Sequence, residues 1–93
     1  MRIKELEKLF KSLGNRRRLK IIKLLLIDNE LTVSDIAKEL KISIKAASKH
    51  LLNLFNSEVL EREQKWKSAY YKVADNHESL LKNLINHIYH SSE

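Results

Sequence analysis

The chain has 93 residues, 43% hydrophobic and 32% charged, which suits one soluble domain around one modest core and excludes a disordered polyelectrolyte. Its formal net charge of +6 favours a polyanionic partner, and the lack of cysteine excludes disulfides, thiolate metal sites and thiol switches. The longest apolar run, Leu24 to Ile27, falls far short of the roughly 18 residues of a membrane span, and Met1-Arg2-Ile3-Lys4-Glu5 lacks the apolar stretch of a secretory signal, so a cytoplasmic protein with no membrane partner is expected.

Ile3, Leu6, Phe10 and Leu13 recur at helical spacing, with Leu9 widening the stripe, and predict an amphipathic first helix. The only glycine, Gly14, ends it, and Asn15 is placed to cap a second helix. Leu19, Ile22, Lys23 and Leu26 fall on successive turns of that helix. Leu24, Leu25 and Ile27 make it apolar nearly all round, as a central buried element would be. Thr32-Val33-Ser34-Asp35 has the form of a capping box with Asp in place of Glu, opening a short helix through Ile36, Ala37 and Leu40. Lys41-Ile42 makes a tight connection and Ser43 caps a fourth helix. There Ala47, Leu51 and Leu54 share one face, while Lys45, Ser48, Lys49 and Leu52 share the other.

After Val59 the apolar period falls to two. Leu60–Glu63 and Ala69–Val73 read as strands joined by Gln64–Ser68, and Asp75 or Asn76 caps a last helix carrying Leu80, Leu81, Leu84, Ile85 and Ile88. Helix, helix, helix, helix, strand, strand, helix is the order of a winged helix-turn-helix: a mainly α fold with a small β-hairpin. Residues 1–93 are read as a single domain.

That arrangement holds the helix from Ser43 proud of the surface, where a DNA major groove accepts it. Ser43 and the neighbouring free N–H groups suit a phosphate, and Lys45, Ser48 and Lys49 are long or polar enough to reach base edges. Arg62, Lys65 and Lys67 give the hairpin the charge of a wing resting on the neighbouring backbone or minor groove. Arg16 and Arg17, at a helix start that disfavours cations, are further phosphate candidates, whereas Arg18 is open to either a phosphate or a structural role. Any of these lysines also fits an ordinary solvated face. His50 reads as a packing or phosphate-contacting residue.

Several of these segments resemble the ArsR-type regulators. Leu13-Gly14-Asn15-Arg16-Arg17-Arg18-Leu19-Lys20-Ile21 is similar to their opening signature, and Leu31 to Ala37 to their third helix. Ser43 through Leu51, ending Ala47-Ser48-Lys49-His50-Leu51, resembles their recognition helix and Tyr70-Tyr71 their second wing strand. The resemblance covers nearly the whole chain. It implies a homodimer, joined through the first and last helices, that represses transcription from a palindromic double-stranded DNA operator. Three places where the family often has glycine hold Lys41, Glu58 and Trp66, so altered turns are expected, above all at the wing tip. Trp66 there is unusually exposed and open to stacking on DNA, to contact with the partner subunit or to folding back on the wing, and folding back is the outcome expected. The cysteines of the arsenic, cadmium and lead sensors are replaced by Thr32 and Ser34. Zinc-sensing relatives carry an Asp-x-His pair and a His-x-x-His pair from opposite subunits, similar to Asp75, His77, His87 and His90 here. The interval from His77 to His87 is one residue short, about 100° of helix, so no metal cofactor is assigned and zinc is carried only as a candidate.

Two other classes compete with a regulator. A winged-helix interaction module without DNA binding is favoured by Leu52 and Trp66, if exposed, and disfavoured by the lysines of the fourth helix. An enzyme is not expected: no nucleophile–base pair, phosphate-cradling glycine loop or dedicated carboxylate pair is present.

Overall fold

A computed structural model describes residues 2–91, with side chains through residue 87. The elements run α1 (Ile3–Leu13), α2 (Arg16–Asp28), β1 (Leu31–Thr32), α3 (Val33–Leu40), α4 (Ile44–Asn56), β2 (Leu60–Lys65), β3 (Ser68–Val73) and α5 (Asp75–Ser91). The order expected from the sequence is present, with one addition. The two-residue β1 pairs antiparallel with β3, giving a sheet of order β1-β3-β2. Leu31-Thr32 is too short for a period-two signal; it is a strand because Tyr70 and Tyr71 offer it an edge.

Side chains fix three helix starts. Asn15 Oδ1 accepts from the Arg18 N–H at 3.1 Å. Thr32 and Asp35 form the reciprocal capping box, each side chain accepting from the other's backbone N–H, at 3.2 and 3.1 Å. Ser43 Oγ accepts from the Ala46 N–H at 3.0 Å. Such caps contribute about 1 kcal/mol each. The last helix differs from expectation: it begins at Asp75, so Asp75 and Asn76 lie inside its first turn instead of ahead of it.

One core runs from Leu9 to Ile85. Ile21, Ile22 and Leu25 of α2 meet Ile36 of α3, Ala47, Leu51 and Leu54 of α4, and Tyr71 and Val73 of β3. α2 is less enclosed than its composition suggests, because Ile27 is 66% exposed and Leu19 is also open. α1 is divided in the same way. Leu9 and Leu13 face the core, while Ile3 and Phe10 face outward. Leu80 and Leu84 of α5 are exposed too, although Leu81 and Ile85 on the same helix are buried.

The three turns expected to change do not change. Lys41, Glu58 and Trp66 keep positive φ, at 56°, 64° and 57°, in the conformation glycine would take freely. Two of them close helices by the same device. The Ile42 N–H donates to the Ala37 carbonyl, and the Val59 N–H to that of Leu54, both at 3.0 Å, which is the long bond of a Schellman ending. The residue after each strained position is apolar and packed, Val59 fully and Ile42 partly. Burying that side chain offsets a left-handed penalty on the order of 1 kcal/mol. In the hairpin, Lys65 pairs with Ser68, so the strands run to within two residues of each other and the tip is only Trp66-Lys67, tighter than the five-residue connection read from the sequence.

Candidate nucleic-acid interface

α3, the turn at Lys41 and α4 form the helix-turn-helix, and α4 presents the face expected of it. Its inward side is Ala47, Leu51 and Leu54, all buried. Lys45, Ser48, Lys49 and Leu52 are exposed on the other side. The Ser43 hydroxyl oxygen is occupied by the Ala46 N–H, but its own proton remains available, and the helix itself does not pair the N–H groups of Ile44 and Lys45. The start of α4 thus joins fixed donors to the positive end of the helix dipole. Two apolar side chains share this surface: Leu52 is 51% exposed, and Ile44, which sequence reasoning passed over, is 56% exposed. Ile44 occupies the first position of the helix, where no apolar period reports on direction.

α2 adds charge to the same surface. Arg16 and Arg17 are exposed and Arg18 half-buried, its Nε sealed from solvent without a hydrogen bond among the described residues. His50, midway along α4, titrates below the usual histidine value of 6.5, first through burial and then through Arg18, Arg17 and Lys49. The start of α2 therefore lies within electrostatic range of the outward half of α4. That proximity was not legible in the sequence, because residues 18 and 50 meet only through the fold. Lys65, Lys72 and Lys82 form ion pairs, and none of these pairs uses the arginines of α2 or the lysines of α4.

The wing candidates separate. The Arg62 guanidinium lies over the Phe55 ring, 4.7 Å from its centroid, so it is drawn back onto the end of α4. Lys65 Nζ is 2.6 Å from Glu30 Oε1 and 5.5 Å from the centre of the Tyr70 ring, and its pKa is raised chiefly by the bond with Glu30. Lys67 stands exposed at the tip. Trp66 is 96% exposed and does not fold back on the wing, contrary to expectation.

The metal candidates are not gathered within one chain. Asp75 is exposed and paired with Lys72 at 3.5 Å. His77 is buried at 8% exposure, its Nδ1 without a hydrogen bond among the described residues. His87 is exposed about ten residues further along α5, on the order of 15 Å by helical rise, and the His90 side chain lies outside the described residues. Among the described residues no group of three or more His, Asp or Glu side chains is placed to hold a metal, and no helix is long and apolar enough to cross a membrane.

Comparison with known proteins agrees with this geometry. The family model for bacterial regulatory proteins of the arsR family matches residues 15–62, from the cap of α2 to the first wing strand. The cadmium resistance transcriptional regulatory protein CadC homolog of Staphylococcus aureus is 34% identical over 73 residues, covering 78% of this chain and 60% of that protein. The transcriptional activator HlyU of Vibrio cholerae is 29% identical over 96 residues, covering 96% and 88%. Its reduced form superimposes with a TM-score of 0.82 at 28% identity over 91% of this chain and 88% of that one. The homodimeric winged helix-turn-helix DNA-binding domain of Mb0332 from Mycobacterium bovis gives a TM-score of 0.81 at 26% identity, covering 94% and 80%.

Proposed function

Because the chain belongs to the arsR family of bacterial regulatory proteins and is a DNA-binding winged-helix transcriptional regulator, we propose that it binds a palindromic operator as a homodimer and represses transcription there. α4 enters the major groove. Lys45, Ser48 and Lys49 read base edges, Ser43, Arg16 and Arg17 hold phosphates, and the hairpin with Arg62, Lys65 and Lys67 is the wing. The observation that carries this reading is the outward face of α4: cationic, without ion pairs among the described residues, and next to the unpaired arginines of α2. A surface that keeps that much like charge together is stabilised by a polyanion.

The homodimer rests on two supports. Mb0332 is described as homodimeric. Ile3 and Phe10 on α1, with Leu80 and Leu84 on α5, leave apolar surface uncovered on the two helices assigned to the interface. Two copies related by a two-fold axis present two α4 helices, hence the palindrome. Repression needs only that the bound dimer obstruct the promoter, so it asks for no further surface. HlyU is named an activator, and the sign is read directly from a promoter fusion.

Selection of bound sequences from a random duplex pool, with and without Zn²⁺, tests the reading. A two-fold symmetric consensus whose affinity falls steeply with salt is the expected result. Retention that ignores salt would remove DNA binding. Release by zinc, lost in the His87→Ala/His90→Ala variant, would assign Asp75, His77, His87 and His90 to a shared metal site; no release would discard it.

A further inference from the structure

Trp66 is the only tryptophan in the chain, and two unfavourable choices coincide on it. Its φ is 57°, a conformation that bulky side chains avoid, and its ring is almost wholly in water, at 96% exposure. The turn beneath it is fixed all the same. Lys65 and Ser68 pair across its base, Gln64 Nε2 donates to the Trp66 carbonyl at 3.4 Å, and Lys65 is tied to Glu30 at 2.6 Å. A closed, strand-paired turn therefore holds up an indole that touches little of its own protein. The two six-residue strands reach roughly 20 Å, and the tip also carries the exposed Lys67, next to Trp66 in the chain. A flat aromatic face next to a free ammonium matches a base step flanked by phosphate.

We infer that Trp66 is a DNA-contacting wedge, its indole entering the minor groove beside the major-groove site of α4 and stacking at a base step while Lys67 holds the adjacent phosphate. This rests on the proposed DNA-binding reading and adds a second point of readout. Partial unstacking costs least at pyrimidine–purine steps, so the wedge selects TA or CA at the flank of each half-site without hydrogen bonding to a base. The exposed ring stands clear of its own protein, and the paired stem fixes where the tip carrying it stands.

A lone tryptophan makes the test residue-specific. The probe is the duplex recovered by the selection above, with a random-sequence duplex as control. Binding is expected to quench the Trp66 fluorescence and shield it from iodide. Trp66→Asn, which tolerates positive φ, is expected to melt no lower than the wild type yet bind about tenfold more weakly, within the range of one lost base–aromatic stack. Trp66→Phe, keeping a ring, is expected to recover most of that loss. Full binding with unchanged fluorescence, or Trp66→Asn binding as tightly as the wild type, overturns the wedge and leaves the α4 reading intact. A fluorescence change that follows protein concentration instead of DNA assigns the ring to a contact between chains and also overturns it. Failure of the wild type to bind any duplex overturns the underlying reading instead.

Discussion

Arg18, in the first turn of α2, and His50, midway along α4, are 32 positions apart in the chain, and Arg18 is the strongest charge acting on the His50 imidazole. Burial first, and Arg18 after it, disfavour the imidazolium, so His50 of the free protein is mostly neutral at pH 7. The sign for stability follows. The unfolded chain takes up the proton first, near the usual value of 6.5, so any stability due to this group is complete above 6.5 and declines as pH falls through it. Melting followed from pH 8 to 5.5 is expected to fall more for the wild type than for His50→Gln. An approaching phosphate screens the arginines and favours the imidazolium, so DNA binding takes up a proton and strengthens as pH falls. Equal pH slopes for wild type and His50→Gln would remove His50 from both effects.

Lys49 separates base reading from phosphate holding. It is exposed on the outward face of α4, and Lys49→Ala is expected to weaken operator binding by about 1–3 kcal/mol with a smaller loss on random duplex. Equal losses on both, with a salt slope reduced by about one, make it a phosphate contact. Competition titrations at two salt concentrations decide between them.

The helices and their starts were legible because their causes are local. Asn15, Thr32 with Asp35, and Ser43 announce caps within three residues, and Ala47, Leu51 and Leu54 fix which side of α4 faces inward. What depends on distant partners was not. β1 exists because β3 lies beside it. The openness of Ile27 and Phe10 depends on which neighbours the core places over each helix. The wing shows the same limit: Arg62 and Lys65 looked equivalent to Lys67, but Phe55 and Glu30 engage the first two. Trp66 was expected to fold back on a five-residue connection, whereas a two-residue tip leaves it nothing to fold against.

The backbone penalty at Glu58 is offset by burial of Val59, and the Glu58 side chain itself adds no visible contact. Glu58 ends α4 at φ 64°, is exposed, and has no ion pair among the described residues. Glu58→Gly relieves the left-handed strain and gives back part of the gain as unfolded-chain entropy. The net is an expected stabilisation on the order of 0.5–1 kcal/mol. Urea titration measures it, and a lower midpoint with an unchanged slope would show that the Glu58 side chain contributes a contact of its own. Lys41→Gly is expected to stabilise similarly while lowering DNA affinity slightly through the lost charge beside α4.

Phe10 and Leu84 test the dimer. Both are large, apolar and open to solvent in the single chain, Phe10 at 55% exposure, on the two helices assigned to the interface. Burying a phenylalanine or leucine side chain contributes about 1.5–3 kcal/mol, and a two-fold axis counts each substitution twice. Phe10→Glu or Leu84→Glu is therefore expected to shift the chain to monomer at micromolar concentration in sedimentation equilibrium. Because neither side chain belongs to the buried core, far-ultraviolet circular dichroism should keep its helical signal. Operator affinity should then collapse much further than binding to a single half-site, since two weak contacts no longer act as one. A variant that stays dimeric with full operator affinity would place the interface on another face of the molecule, with the open Ile27 and Leu19 of α2 as the next surface to substitute.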